Sequence, residues 1–299
     1  MSTLEKAATA EAVPAVDADE QLPPLSDRLT VIRPASRVPH FDFGELWQYR
    51  ELAATFAWRD LKVRYKQSLI GAAWAILQPV MTMVVFTFIF GTFAHVPSQG
   101  LPYPVFSYSG ILPWMYFSSA LGAASGSLAM NSTLITKIYF PRVLLPMAAV
   151  TVPAVDFLLA TTVLGGLMGY YSLTVGVHAV LAPLFMVLAA ASALGVGLVF
   201  AVINVRYRDV PYAIPFIIQI WLFLSPVIYP IKALHHPWER LILSLNPMSG
   251  VITGFRWALL GTTPPTTLQI VLSIVSAAAF LLAGMAVFRR QEPRFADTI

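Results

Sequence analysis

The stretch RDLKVRYKQSLIGAAWAILQP, residues 59–79, changes character at one residue. Up to Lys66 it is basic and reads as a helix; beyond Lys66 it is apolar. No Asp, Glu, Lys or Arg follows until Lys137, a charge-free run of 70 residues, whereas one membrane crossing needs only about 20 apolar residues. Lys66 therefore marks the edge of a bilayer. Arg50, Arg59, Lys62, Arg64 and Lys66 precede the first span, and basic clusters at a membrane edge stay on the cytoplasmic side. The topology downstream follows from this boundary.

Composition agrees. Of 299 residues, 57% are hydrophobic and 11% charged, with a mean hydropathy of +0.70; soluble domains carry about 25% charge. The chain reads as an all-α polytopic membrane protein. Its net charge of +4 comes from residues beside membrane edges, so it signals orientation and not nucleic-acid binding. The absence of cysteine excludes disulfides, thiolate chemistry and cysteine-based metal sites. Twenty-three prolines point to broken helices and structured loops, because proline in a span frees a carbonyl that must find another partner.

Residues 1–40 differ. Glu5, Glu11, Asp17, Asp19, Glu20 and Asp27 stand among prolines with few large apolar side chains, the composition of a disordered cytoplasmic tail. The segment lacks the apolar core of a secretory signal. Residues 41–299 form the membrane domain. Within it, residues 46–66 read as a helix outside the bilayer. At 100° per residue, Trp47, Trp58, Leu61 and Tyr65 share one stripe, and Tyr49, Leu52, Phe56 and Val63 share a nearly opposite one. A helix lying on a membrane needs one apolar face; two faces imply a helix held between the membrane part and another protein surface, with a plain interfacial anchor as the alternative.

Six spans are expected, near residues 69–94, 105–129, 147–171, 178–205, 210–229 and 266–288, with both termini cytoplasmic. Pro230–Pro265 is too apolar for a free loop, yet it holds Lys232, Glu239, Arg240, Arg256 and five prolines. It reads as two short helices dipping into the outer leaflet. Twelve membrane-proximal Lys and Arg then lie inside and three, Lys232, Arg240 and Arg256, outside, which fixes the orientation.

Catalytic patterns are missing. None of His40, His95, His178, His235 and His236 has a partner at metal-site spacing, and no lysine follows glycine as a phosphate loop requires. Asp156 is the sole acidic residue expected within a span. It reads either as a substrate or proton contact, or as a packing residue hydrogen-bonded near Thr151, Thr161 and Thr162; with no intramembrane Lys, Arg or second carboxylate to relay a proton, packing is favoured. Aromatics cluster near the span ends, including Trp74, Tyr108, Trp114 and Trp221. They suit membrane belts and packing, or stacking platforms along a sugar path. In the loop 131–146, Ile135, Ile138, Tyr139 and Phe140 form an apolar group beside Lys137 and Arg142, stiffened by Pro141 and Pro146. Such a loop docks on something.

Together with the opening stretch, four segments in order, SGILPWMYFSSA (109–120), NSTLITKIYFPRVLLP (131–146), RYRDV…SPVIYP (206–230) and LNPMSGVITGFRWALLG (245–261), resemble the type 2 ABC exporter permeases that move O-antigen, capsule and teichoic-acid polymers. The resemblance spans about residues 43–290. It implies a permease without ATPase activity of its own, and a homodimer bound to two separate nucleotide-binding ATPase subunits, which would hold ATP and magnesium. The substrate would be a lipid-linked polysaccharide crossing the bacterial inner membrane among membrane lipids, and no cofactor or metal is expected in this chain. It further implies contacts to the ATPases from an interface helix bearing Trp58, Arg59, Asp60, Lys62, Arg64, Tyr65 and Lys66, and from a coupling loop bearing Lys137, Ile138, Tyr139, Phe140, Pro141 and Arg142. Trp74, Tyr108, Trp114 and Trp221 are then candidates for the substrate path, and Trp238, Leu241, Phe255 and Trp257 for an outer gate. A proton-coupled carrier would need carboxylate relays, and a membrane-embedded glycosyl or acyl transferase would need a converging nucleophile, base or metal set; neither pattern is present.

Overall fold

A computed structural model describes residues 43–66, 71–207, 209–233 and 236–295, all belonging to one unit, Phe41–Ile299. The expected tail 1–40, the start of the first span at Leu69, Arg208, His40 and His235 lie outside the described residues, as does the side chain of Arg294.

The elements run α1 (Phe43–Gln48), α2 (Arg50–Lys66) and α3 (Ala73–Phe86), whose path continues as a π-helix over Thr87–Phe93. Next come α4 (Tyr103–Met130), α5 (Ser132–Lys137) and α6 (Leu144–Tyr170), then a 3₁₀ turn at Val177–Leu181 leading into α7 (Ala182–Arg206). The chain closes with α8 (Val210–Phe223), a 3₁₀ turn at Ile231–Ala233, α9 (Pro237–Leu245), α10 (Pro247–Leu260), α11 (Thr267–Gln291) and a last 3₁₀ turn, Glu292–Arg294. No strand occurs among the described residues.

Four stretches are both long and apolar enough to cross a membrane: Ala73–Phe93, Leu144–Tyr170, Val177–Arg206 and Thr267–Gln291. The 28-residue α4 is about 42 Å long at 1.5 Å per residue, ample for a crossing, but it is more polar. Its position explains this. It is flanked by α6 and α7, and Val105, Phe106, Tyr108, Phe117, Ala120, Leu121, Ala124 and Leu128 are sealed from the surface. Five of its six serines return their hydroxyls to their own helix, Ser109 to Phe106 O and Ser127 to Ala124 O among them. A helix walled by protein does not need the all-round apolar surface that lipid demands.

The bundle packs closely where side chains vanish. A Cβ on Gly195 of α7 would strike the backbone at Phe280–Leu281 of α11, and one on Gly284 of α11 would strike Gly195. Small residues of this kind let membrane helices approach and gain dispersion contacts. The helix α11 packs on α7, α10 lies against α7, α4 and α11, and α3 packs on α4 and α6. On the outer faces, Leu77, Met81 and Val84 of α3, Phe88 of the π-helix, and Tyr212, Phe216, Ile220 and Phe223 of α8 stay exposed.

Two expectations change. Proline does not break every helix it enters: Pro79, Pro113, Pro153 and Pro215 sit inside continuous helices. The fifth apolar segment, expected to reach Tyr229, is helical only to Phe223. The reason is Ser225–Pro226. Proline disfavours helical backbone in the residue before it and lacks an N–H to continue the ladder, so the chain folds into a tight turn with Val227 N–H donating to Ser225 O at 2.7 Å.

Candidate functional site

Three features carry the functional chemistry. The first is the junction of α2 with α6 and the loop after α5. Phe56 is buried and tilts against Phe140 with ring centroids 5.5 Å apart. Around them lie Ile135, Leu144, Leu145, Leu198, Phe288 and Phe295, with Tyr49, Leu52, Ala53 and Ala57 at the edge. Arg59 donates to Asn131 Oδ1 at 2.8 Å and pairs with Asp60 at 2.7 Å. Arg142 donates to the carbonyl of Glu292, its own N–H bonds Glu292 Oε1 at 3.1 Å, and its guanidinium lies over Phe295.

The predicted stripes of this helix therefore separate. Tyr49, Leu52 and Phe56 pack against the chain's own helices, while Val63 departs from that stripe and is exposed. On the other stripe Trp47 and Trp58 remain exposed, Arg50 and Lys62 lying over their rings, but Tyr65 turns inward. The loop divides likewise. Phe140 is core, and Pro141 and Arg142 are half-buried, whereas Lys137, Ile138 and Tyr139 face out, Tyr139 at 80% exposure. Lys66 is exposed at the end of α2.

The second feature is Asp156. It does not bond the threonines expected around it: Thr151, Thr161 and Thr162 donate to Ala148, Phe157 and Leu159 carbonyls of their own helix. Instead Arg64 Nη2 meets Asp156 Oδ2 at 2.5 Å and the Tyr65 hydroxyl donates to Oδ1. Burial first, and the bond to Asp156 second, hold the Tyr65 hydroxyl above its ordinary pKa, so it remains a protonated donor. The pair closes one side of a cavity of about 210 Å³ between the ends of α2 and α3 and the flanks of α4 and α6, lined also by Trp74, Gln78, Tyr116 and Ser119.

The third feature is Arg256, counted from sequence among the outer cations. It is 2% exposed. No carboxylate partners it among the described residues; carbonyls do. Its Nε donates to Phe106 O at 3.1 Å, Nη1 to Pro226 O at 2.7 Å and Nη2 to Val227 O, while the plane lies 3.8 Å from the Phe106 ring centroid. The turn at Pro226 frees carbonyls, and Arg256 satisfies them. Asn246 secures the same turn: it caps α10 through Met248 N–H, donates to Leu224 O and Ser225 Oγ, and accepts the Trp221 indole N–H at 3.0 Å.

The remaining candidates scatter. Tyr108 is fully buried, its hydroxyl on Ala160 O, and Trp114 is buried beside Phe117. Trp221 is half-buried against Phe117. Trp74 alone of the four path candidates stands exposed at the cavity. At the other end Phe255 is core, packed on Phe157; Trp257 lies on His178; Trp238 and Leu241 are exposed on α9. Sequence reading missed Arg256 and Asn246 as structural hubs. The available signal was a lone arginine within an apolar helix, in a chain whose Pro226 must free carbonyls somewhere.

Comparison with known proteins completes the picture. Over 257 residues the chain is 29% identical to the O-antigen export system permease protein RfbA of Myxococcus xanthus, covering 85% of this chain and 98% of the relative. It is 26% identical over 243 residues to a protein of the same name from Klebsiella pneumoniae, covering 81% and 92%. It is 24% identical over 247 residues to the polysialic acid transport protein KpsM of Escherichia coli, covering 78% and 91%. The ABC-2 type transporter family profile matches residues 51–260, taking in α2, the cavity, the turn at Pro226 and Arg256, and the chain belongs to that family.

Proposed function

We propose that this chain is the membrane permease of an ATP-driven exporter that moves a lipid-linked polysaccharide, of the O-antigen or capsule kind, across the bacterial inner membrane. In this reading it is a six-span subunit with cytoplasmic termini, working as a homodimer with two nucleotide-binding subunits that carry ATP and magnesium. The helices α3, α4, α6, α7, α8 and α11 are the spans, with α8 completed by the turn at Pro226; α9 and α10 dip into the outer leaflet. The observation that carries the proposal is the divided surface around α2. One side is fused to the spans through Phe56, Phe140 and Arg59, and on the other Trp47, Trp58, Ile138 and Tyr139 are exposed among the described residues. Exposed aromatics beside a rigid core suit a docking subunit. The relatives, named for O-antigen export and polysialic acid transport, supply the cargo class.

The experiment is deletion of the reading frame followed by fractionation of surface and intracellular glycan. Intracellular accumulation with a bare surface is expected; unchanged surface glycan would refute the assignment. Purified without its partner, the chain is expected to hydrolyse no ATP above a mock preparation.

A further inference from the structure

The cavity beside Asp156 holds polar groups that the fold leaves unused. Tyr116 is 6% exposed, yet its hydroxyl makes no hydrogen bond to any described residue, and neither do the Ser119 hydroxyl and the Gln78 amide; all three line the cavity. Other hydroxyls on α4 and α6 return to backbone carbonyls, as Ser118, Thr161 and Thr162 do. The Tyr116 side chain is buried but its hydroxyl opens onto the cavity, so with Ser119 and Gln78 it offers free donors and acceptors to whatever enters. The rings of Trp74, Tyr116 and Phe157 border the same space. Aromatic faces beside unpaired hydroxyl and amide groups match a polyhydroxylated ring, which presents apolar C–H faces and many donors and acceptors.

Charge narrows the class. The cavity's cation, Arg64, is already held by Asp156 at 2.5 Å. An incoming phosphate would have to displace that carboxylate or lie against it, and like charges repel. Size narrows it further: about 210 Å³ is below the roughly 300–1,000 Å³ of a drug-sized ligand site, enough for a sugar ring and too small for a lipid carrier.

We propose that this cavity is a subsite for a neutral sugar ring of the exported polymer, read by Tyr116, Ser119, Gln78 and Trp74, and distinct from whatever binds the lipid diphosphate. The inference rests on the exporter reading above. Its closing wall is the Arg64–Asp156 pair, so occupancy is felt at the end of α2, the helix offered to the ATPase.

The test uses the permease with its ATPase subunit in lipid nanodiscs. ATPase stimulation is titrated with three probes: the lipid-linked glycan extracted from cells lacking this permease, the same glycan cut from its lipid by mild acid, and a long-chain polyprenyl diphosphate bearing no sugar. Tyr116→Phe, Ser119→Ala and Gln78→Leu are each expected to raise the half-stimulating concentration of the cut glycan about five- to ten-fold, the effect of one lost hydrogen bond. The response to polyprenyl diphosphate is expected to stay at the original value, and Thr162→Ala, outside the cavity, to leave all titrations unchanged. Gln78 is exposed at the rim, so its variant keeps the test open if Tyr116→Phe folds poorly. Variants that respond to cut glycan as the original protein does would overturn the proposal, as would a shift confined to polyprenyl diphosphate. A complex indifferent to cut glycan would overturn it too, and loss of surface glycan in the deletion strain would then leave the exporter reading standing.

Discussion

Arg64 and Asp156 meet at 2.5 Å, joining the last turn of α2 to the middle of α6. Arg64 is half exposed, whereas the Asp156 side chain is 17% exposed, so the interaction is closer to a charge-assisted hydrogen bond in a cleft than to a surface pair. Such bonds are worth about 1.5–3 kcal/mol, and the Tyr65 hydroxyl adds a second donor to the same carboxylate.

Removal of the carboxylate should therefore loosen α2 from α6. Asp156→Ala is expected to lower the thermal midpoint of the purified protein more than Asp156→Asn, because asparagine keeps an acceptor for Tyr65. In a double-mutant cycle with Arg64→Ala, the two losses are expected to fall short of additivity by about 0.5–3 kcal/mol. Full additivity would show that the pair contributes nothing. Because the Tyr65 pKa is raised in the folded state, its share of stability is complete below the unfolded tyrosine value near pH 10 and is lost only at higher pH. Melting curves from pH 7 to 9.5 are accordingly expected to show no step from Tyr65, and the Tyr65→Phe variant should run parallel to the original protein over that range.

Adjacent residues of the loop after α5 should behave oppositely. Phe140 is 4% exposed and packs on Phe56, so Phe140→Ala is expected to cost about 3–5 kcal/mol and to reduce the amount of protein in the membrane. Tyr139 at 80% exposure should change stability by no more than about 0.5 kcal/mol, while weakening copurification of the ATPase. Normal copurification and export with Tyr139→Ala and Ile138→Ala combined would remove this loop as a docking element.

Arg256 and Gly110 should fail together. The guanidinium occupies the space a Cβ on Gly110 would need. Gly110→Ala is expected to displace the arginine and to resemble Arg256→Met, each exposing the cell to a poorly assembled permease through loss of at least about 1–3 kcal/mol. Arg256→Lys is expected to rescue little, since a point charge cannot reproduce the planar fork that reaches Phe106, Pro226 and Val227 carbonyls. Detergent stability of a fluorescent fusion measures all three; a stable, active Arg256→Met protein would contradict the role assigned here.

The short helix α9 should prove to be covered by lipid. Trp238, Leu241, Ile242 and Leu245 are all exposed on it, while its N-terminus bears the His236–Glu239 capping box. Cysteines at Leu241 and Leu245 are expected to label slowly with a charged thiol reagent and quickly with a lipid-soluble one, and a cysteine at Lys232 should show the reverse. The chain contains no native cysteine, so the signals need no background correction. Fast labelling of all positions by the charged reagent would make this segment a solvated loop.

The sequence was most readable where composition alone decides. The charge-free run after Lys66 announced the membrane part, and the apolar content of Pro230–Pro265 announced the short helices α9 and α10. Periodicity on α2 located two apolar stripes, but could not tell which would be buried; Phe140, distant in sequence, decides it by packing tilted against Phe56. Asp156 was legible as an anomaly, not as a partner of Arg64, because hydrogen bonds between helices depend on crossing geometry that no local pattern encodes. The cavity was invisible for the same reason: Trp74, Tyr116 and Asp156 come from three helices. Tyr108 and Trp114 looked like path residues because aromatics serve core and belt alike, and α4 places both inside.

The buried arginine also has a consequence for biogenesis. An arginine at the centre of an inserting helix costs about 2.5–3.5 kcal/mol, and Arg256 has no carboxylate among the described residues to neutralise it. Its acceptors, the carbonyls of Phe106, Pro226 and Val227, lie on segments made earlier by the ribosome, in α4 and just beyond α8. Synthesis order thus has the docking place made before the cation emerges. Burial of the guanidinium requires α4 and the turn at Pro226 to have come together first, which makes the docking of α10 a late step in assembly.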